Sequence, residues 1–199
     1  CVILTIWVLA VMGYKARRVM HERDMLDRQL LVIPEGTSVL PQDAREYSRA
    51  LEALPEAEQD YLLPRTLLSA LQRFATTGSI QAVSETIKEN CDIESDRLDS
   101  EMSMVRYIAW AIPSVGFIGT VRGIGAALSQ AHRAVEGDIT GVTQNLGVAF
   151  NSTFIALVLS IVMMFFIHQL QHRQERLIHD AGAYCQRNLI NKLRIKPAP

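Results

Sequence analysis

The two longest apolar stretches of this sequence contain no Asp or Glu. They cover residues 107–130 and 139–167, and the second belongs to a longer segment between Asp138 and Arg173 that has no Asp, Glu, Lys or Arg at all. Ionisable groups are costly inside a bilayer and are found there mainly where function needs them. A carboxylate that works at the depth of these stretches must therefore come from another chain.

Other absences exclude whole classes of protein. Lys and Arg number 20 against 21 Asp and Glu, so the chain has no basic excess for binding nucleic acid. The sequence contains no phosphate loop, no HExxH motif and no nucleophile with a paired base, so we predict neither an enzyme nor a bound cofactor. Cys1, Cys91 and Cys185 lie far apart, which favours unreactive thiols over a disulfide framework or a metal site.

Apolar residues are plentiful and are gathered into three stretches. About 18 or more consecutive apolar residues are enough for a membrane-spanning helix, so spans are predicted at residues 107–130 and 142–167. Residues 1–14 are shorter and lead into basic residues rather than a cleavage site, so we interpret them as the end of a first span that begins earlier, and not as a signal-peptide core. The predicted fold class is an all-α membrane protein with three transmembrane helices.

The distribution of basic residues predicts the orientation of these helices. Between the second and third spans, residues 132–138 hold Arg133 as their only Lys or Arg. The segments after the first and third spans are richer in basic residues: Lys15, Arg17, Arg18, Arg23 and Arg28, and then Arg173, Arg176, Arg187, Lys192 and Arg194. Because Lys and Arg concentrate on the cytoplasmic side, the start of the first span and the link at residues 135–139 are predicted to lie outside, and the C-terminus inside.

Residues 15–91 are predicted to form a small cytoplasmic domain of short helices. Its first loop is punctuated by Pro34, Gly36 and Pro41. Helices are predicted over residues 43–54, 64–76 and 80–90. Gly78 is expected to end the second of these and Ser79 to cap the third. Four apolar residues of the second helix share one face at helical spacing: Leu67, Leu68, Leu71 and Phe74.

Two long helices are predicted to carry the second and third spans beyond the bilayer. They cover residues 92–134 and 140–192, and residues 193–199 form a tail. The first would be about 60 Å long. Apolar residues at three- and four-residue steps predict a seam along each helix: Leu98, Met102, Val105, Ala109 and Ile112, and then Leu177, Ala181, Tyr184 and Leu189. Such seams favour oligomerisation, with a solvated monomeric extension as the alternative.

The second span carries small and polar residues that a simple anchor does not need. Gly116, Gly119 and Gly123 recur at three- and four-residue steps, so they share one face and are predicted, with the nearby Pro113, to pack against a neighbouring span. Thr120 lies past the middle of this span. Its hydroxyl either bonds back to the carbonyl one turn earlier or lines a hydrated path.

The third span contains a second polar cluster, Asn151, Ser152 and Thr153. The two spans run in opposite directions, so Thr120 and Thr153 can reach a similar depth and, with Asn151 and Ser152, line a path for an ion or proton. Arg122 lies about 200° round the helix from Thr120 and faces another way. It either reaches the outer interface or pairs with a carboxylate of another chain.

Two segments of the spans resemble known membrane motifs. Residues 116–124 (GFIGTVRGI) and 146–157 (LGVAFNSTFIAL) resemble the paired motifs of the MotA/TolQ/ExbB proton-channel family, "G-x-x-G-T-V-x-G" and "A-x-x-x-T-x-x-G/A-L". The resemblance covers about residues 109–164. The chain departs from TolQ and ExbB in having no Glu shortly before Thr153, in the polar Asn151, and in Arg122, where those proteins prefer an apolar or aromatic residue.

The resemblance implies a pentameric ring of this subunit in the bacterial inner membrane, around two copies of a single-span partner of the MotB/TolR/ExbD type. The membrane Asp of that partner would be loaded and discharged as ions flow. By position, Thr120 and Thr153 match the family's pore-lining threonines. The family's packing glycines are matched by Gly116, Gly119 and Gly123.

Two functional hypotheses follow. The first is a pore-forming subunit of an ion-driven membrane motor, with protons as the expected ion, that couples the gradient to mechanical work through its partner. The alternative is a non-conducting oligomeric membrane scaffold, in which the hydroxyl groups bond only to their own helices. A neighbouring gene that encodes a one-span protein with a membrane Asp would favour the motor, and its absence would favour the scaffold.

Overall fold

A computed structural model describes residues 2–28, 30–31, 33 and 39–194, and their regular structure is helical. In chain order the helices are α1 (Val2–Asp27), α2 (Ala44–Glu52), α3 (Glu56–Gln59), α4 (Leu62–Thr77), α5 (Ile80–Ser129), α6 (Ala131–Val135) and α7 (Thr140–Asn188), followed by a 3-10 turn, Ile190–Lys192. The described ranges contain no strand beyond a single bridge between Val39 and Leu193. The all-α prediction is confirmed for them, whereas Cys1, Pro34 and Gly36 lie outside the described residues.

Two helical segments are long and apolar enough to cross a membrane. They are α5 and the segment Thr140–Lys192, which is α7 with the turn that follows it. Only 17% of the most apolar window of each is buried within the chain, whereas the core helix of a soluble protein is buried over most of its surface. Within the described residues α1 is not a third candidate, so the first span stays a prediction.

The ends of α5 correct two predicted boundaries. The helix predicted over residues 80–90 and the helix predicted to begin at residue 92 are one continuous helix, because residues 80–112 contain no Gly or Pro to end it. The same helix was predicted to reach residue 134 but ends at Ser129, and the short α6 follows. Gly137, with φ 98°, then provides the left-handed turn that leads to α7.

The chain divides into two compact units, which we call the apolar unit (residues 2–15 and 101–170) and the polar unit (residues 16–100 and 171–194). In the apolar unit the predicted seam of α5 is buried, at Met102, Val105, Ala109 and Ile112. Tyr107 and Trp110, on the other side of the helix, are exposed. α1 lies beside α5 there, and Lys15 of α1 forms an ion pair with Glu101 of α5.

The core of the polar unit forms where α4 packs with the ends of the long helices. From α4, Leu67, Leu71 and Phe74 are fully buried, and Leu68 is half-buried. The predicted seam of α7 is also buried, at Leu177, Ala181, Tyr184 and Leu189. Burial raises the pKa of the neighbouring Cys185 thiol to about 12, which agrees with the expectation of an unreactive thiol.

The boundary between α4 and α5 follows the predicted capping signals. Gly78 adopts the left-handed conformation with φ 60°, and its N–H donates to Phe74 O at 2.9 Å. This is the usual way in which glycine ends a helix. Ser79 Oγ then accepts a hydrogen bond from Ala82 N at 3.3 Å, so Ser79 caps α5 as predicted.

Glu22 of α1 is a buried carboxylate at the start of α4. It accepts a hydrogen bond from Arg18 Nε at 3.3 Å and one from the backbone of Leu62, the first residue of α4. The preceding residue, Tyr61, makes no side-chain cap, so Glu22 supplies a cap from another helix. Burial raises the pKa of Glu22 above its usual 4.5, and the nearby Glu94 adds to the increase while Arg18 opposes it.

Candidate functional site

α5 and α7 approach each other closely along the glycine-bearing face of α5. A Cβ atom on Gly116 would lie 2.5 Å from Ala156 Cβ, and one on Gly123 would lie 2.5 Å from Ala149 Cβ. Real Cβ atoms essentially never come closer than 3.0 Å, so no side chain fits at either position without moving α7. Residue numbers rise along α5 as they fall along α7, and the two helices are therefore antiparallel neighbours.

Two hydroxyl groups meet in this contact. Thr120 Oγ1 and Thr153 Oγ1 lie within hydrogen-bonding reach of each other. Thr120 also donates to Ala149 O at 3.0 Å, and Thr153 donates to Gly116 O at 2.8 Å. The bond from Thr120 to its own helix, at Gly116 O, is longer, at 3.5 Å. The short bonds to carbonyls thus cross between the helices in both directions.

Ser152 lies beside these two threonines, whereas Asn151 does not. Ser152 Oγ donates to Ala149 O at 2.8 Å, and it would lie 2.8 Å from a Cβ atom on Gly119. The side chain of Asn151 is exposed on the far side of α7. Successive helical residues point about 100° apart, so three consecutive residues cannot all face one neighbour. The structure brings together three of the four residues predicted for an ion path.

Pro113 lies inside α5 and leaves one carbonyl without its helical partner. Proline has no N–H, so the carbonyl of Ala109, four residues earlier, loses the bond that it would accept in a regular helix. Ser160 of α7 donates its hydroxyl to this carbonyl at 3.3 Å. Hydroxyl side chains often satisfy the backbone groups that proline frees in membrane helices.

The sequence pattern placed Pro113 with the packing glycines and gave no role to Ser160. The signal was a proline in one span and a hydroxyl at the matching depth of the next span. The bond from Ser160 to the Ala109 carbonyl extends the polar contacts between α5 and α7 toward residue 107, where the predicted second span begins.

Arg122 lies away from this contact. Its side chain is exposed, and no described residue pairs with it by a hydrogen bond or an ion pair. No three His, Cys, Asp or Glu side chains within the described ranges are grouped so that they could hold a metal ion. What the cluster offers is therefore oxygen from hydroxyls and carbonyls, within spans that contain no carboxylate.

Two antiparallel apolar helices, joined through glycines and crossed hydroxyl bonds, define a membrane protein with a polar cluster inside its spans. Against models of protein families, residues 58–182 match the MotA/TolQ/ExbB proton channel family. The chain belongs to that family, as its two motifs predicted, and so to a class of membrane channel proteins. Comparison with curated proteins and with solved structures gives no match.

Proposed function

We propose that this chain is the pore-forming subunit of a proton-driven membrane motor, in which the Thr120–Thr153 pair receives a carboxyl group carried by a partner helix. The observation that supports this most is the meeting of two hydroxyls from different helices near the middle of the spans. Those spans have no acidic residue of their own. A hydroxyl in hydrocarbon has to be satisfied, and this pair is satisfied while staying half-exposed at the surface of the chain.

The proposed assembly is a pentamer of this subunit around two copies of a single-span partner with a membrane Asp. Both numbers come from the family resemblance. The proposed setting is the bacterial inner membrane, with three spans, the link between α5 and α7 outside, and the polar unit and C-terminus in the cytoplasm. The basic residues that flank the spans support this orientation.

The test replaces both hydroxyls by a methyl group of the same shape. Thr120→Val with Thr153→Val is expected to abolish proton flux in vesicles that contain the subunit co-expressed with its one-span neighbour. Membrane hydrogen bonds of this kind contribute about 0.6 kcal/mol each on average, so the complex should still assemble. A double variant that conducts protons at the wild-type rate would overturn the role of the hydroxyls.

Thr143→Val is the matched control. Thr143 is also in α7, but its hydroxyl donates only to Ile139 O and Thr140 O, carbonyls that precede it in the chain by four and three residues. Flux through this variant should equal that of the wild type. If it also fell to zero, loss of flux would follow from any hydroxyl removed from α7 and would not identify a path.

The scaffold hypothesis makes a different prediction for the wild type. It assumed that the hydroxyls bond to their own helices, whereas the short carbonyl bonds of Thr120 and Thr153 cross to the other helix. A scaffold carries no proton flux under an applied membrane potential, with or without the partner. A silent wild-type complex that is fully assembled would favour the scaffold over the motor.

A further inference from the structure

Two glycines in the spans are not explained by contacts within the chain. A Cβ atom added to Gly125 of α5 or to Gly147 of α7 would meet nothing within 4 Å. Gly116 and Gly123, in contrast, are held against α7. Glycine inside a helix is less favourable than alanine, and within one copy neither open glycine makes a close contact that would offset this.

Each open glycine shares a helix face with an exposed polar residue. Arg122 precedes Gly125 by three residues, and Asn151 follows Gly147 by four, so each pair forms one face. We call these the Arg122 face (Arg122 and Gly125) and the Asn151 face (Gly147 and Asn151). A charged residue in a membrane helix is unfavourable unless it has a partner, so covering the Arg122 face with a hydrogen-bond acceptor is stabilising.

The two faces lie on opposite sides of the helix pair. Gly125 is two residues, or about 200°, from Gly123, which contacts α7. Gly147 and Asn151 are each two residues from Ala149, which contacts α5. Each face therefore points away from the contact between α5 and α7.

The faces also lie at the same depth. Gly123 is opposite Ala149, and one further half-turn along each antiparallel helix places Gly125 level with Gly147. The same register places Arg122 within about one residue, or 1.5 Å along the axis, of Asn151. A second copy related by rotation about the membrane normal presents its Asn151 face at the depth of the Arg122 face.

We propose that the Arg122 face of one copy docks on the Asn151 face of the next, with the Arg122 guanidinium donating to the Asn151 carboxamide oxygen. Gly125 and Gly147 then let the two backbones approach closely. This contact rests on the proposed assembly and names the surfaces that form it. It uses different faces of each copy, so repeated contacts generate a ring when the rotation closes.

Two other ways of covering these faces are less complete. A two-fold contact between two Arg122 faces would bring like charges together. A foreign helix with a carboxylate would fit the Arg122 face and leave the Asn151 face uncovered. The next copy covers both faces with one contact.

Cysteine cross-linking in membranes tests the contact. Gly125→Cys and Gly147→Cys occupy open positions, so both variants should fold. When they are co-expressed and oxidised with copper phenanthroline, we expect a disulfide-linked dimer in the mixed sample and little in either variant alone. Val115→Cys with Gly147→Cys is the control for depth, since Val115 is exposed on the same helix but lies about 15 Å from Gly125 along the axis.

Each outcome of the cross-linking experiment either supports or overturns the contact between copies. A product in the mixed sample that is absent from the depth control supports the contact. No product in the mixed sample, or an equal yield in the single variants, overturns it. Arg122→Glu should remove most of the product, and Arg122→Glu with Asn151→Arg should restore it. If Arg122→Glu leaves the yield of cross-linked dimer unchanged, the guanidinium reaches the lipid headgroups instead, and the polar contact is overturned.

The experiment is independent of ion flow. It needs neither the partner nor a gradient, and Thr120→Val with Thr153→Val should cross-link as the wild type does. Loss of flux with intact cross-linking would leave both proposals standing. Intact flux in that variant together with the cross-link would overturn the ion path and leave the contact between copies.

Discussion

Removing the Ser160 hydroxyl should destabilise the chain only while residue 113 is a proline. Ser160 donates to the Ala109 carbonyl at 3.3 Å, and Pro113, which lacks an N–H, cannot supply the i+4 donor that this carbonyl would have in a regular helix. In Ser160→Ala the carbonyl loses the side-chain donor that replaces its helical partner. In Pro113→Ala the restored N–H bonds to the same carbonyl, so the hydroxyl becomes dispensable.

The expected size follows from the length and setting of this bond. Side-chain hydrogen bonds in membrane proteins contribute about 0.6 kcal/mol on average and about 1.7 kcal/mol at most. The bond is longer than the usual 2.7–2.8 Å for two oxygens, but its loss leaves a backbone acceptor unsatisfied. We therefore expect Ser160→Ala to cost about 1 kcal/mol with Pro113 present and close to zero with Pro113→Ala.

The assay is reversible unfolding of the purified chain in mixed micelles of increasing denaturing detergent, followed by tryptophan fluorescence. Trp110 lies next to Ala109, and in a Trp7→Phe background its emission alone reports on this part of α5. Ser160→Thr keeps a hydroxyl and should lose less stability than Ser160→Ala. An equal cost of Ser160→Ala in both backgrounds, and hence no coupling between the two positions, would refute the reasoning.

Two further predictions concern packing and pH. Gly123→Leu should lower the melting temperature of the solubilised chain, because the leucine side chain would collide with Ala149. Gly125→Leu, two residues away in open space, should leave the melting temperature unchanged and reduce only the assembly seen by native mass measurement. Equal melting temperatures for the two variants would contradict the packing. Glu22→Gln should raise the melting temperature at neutral pH, because a carboxyl whose folded pKa is raised opposes folding above that pKa. The gain should shrink as the pH falls through the folded pKa toward 4.5, where wild-type Glu22 becomes protonated; a gain that does not change with pH, or that also occurs in the exposed control Glu89→Gln, would rule this out.

The parts of the fold that the sequence predicted well depend on periodicity and on local chemistry. The face of α4 around Leu67 and Leu71, and the seam of α5 around Met102 and Ala109, are buried as the helical repeat requires. Gly78 ends α4 because few other residues adopt its left-handed conformation at low cost. These features need no knowledge of distant contacts.

The parts that the sequence could not supply depend on which helix faces which. Nothing in the sequence near Thr120 distinguishes a bond to its own helix from a bond to Ala149 of α7. The grouping of Asn151 with Ser152 and Thr153 followed adjacency in the chain, although adjacent helical residues point in different directions. Ser160 became meaningful only when the register of α7 placed it opposite the carbonyl that Pro113 leaves free.

The crossed bonds of the threonine pair also determine which protonation state a visiting acid should prefer. Thr153 donates its hydroxyl hydrogen to Gly116 O, and Thr120 donates its own to Ala149 O or to Thr153. No hydrogen remains to point outward, so the pair presents only lone pairs. An ionised carboxylate finds no donor there, whereas a protonated carboxyl can donate. A partner's acid that docks here as proposed is therefore held in its protonated form, and it gives up the proton only on leaving.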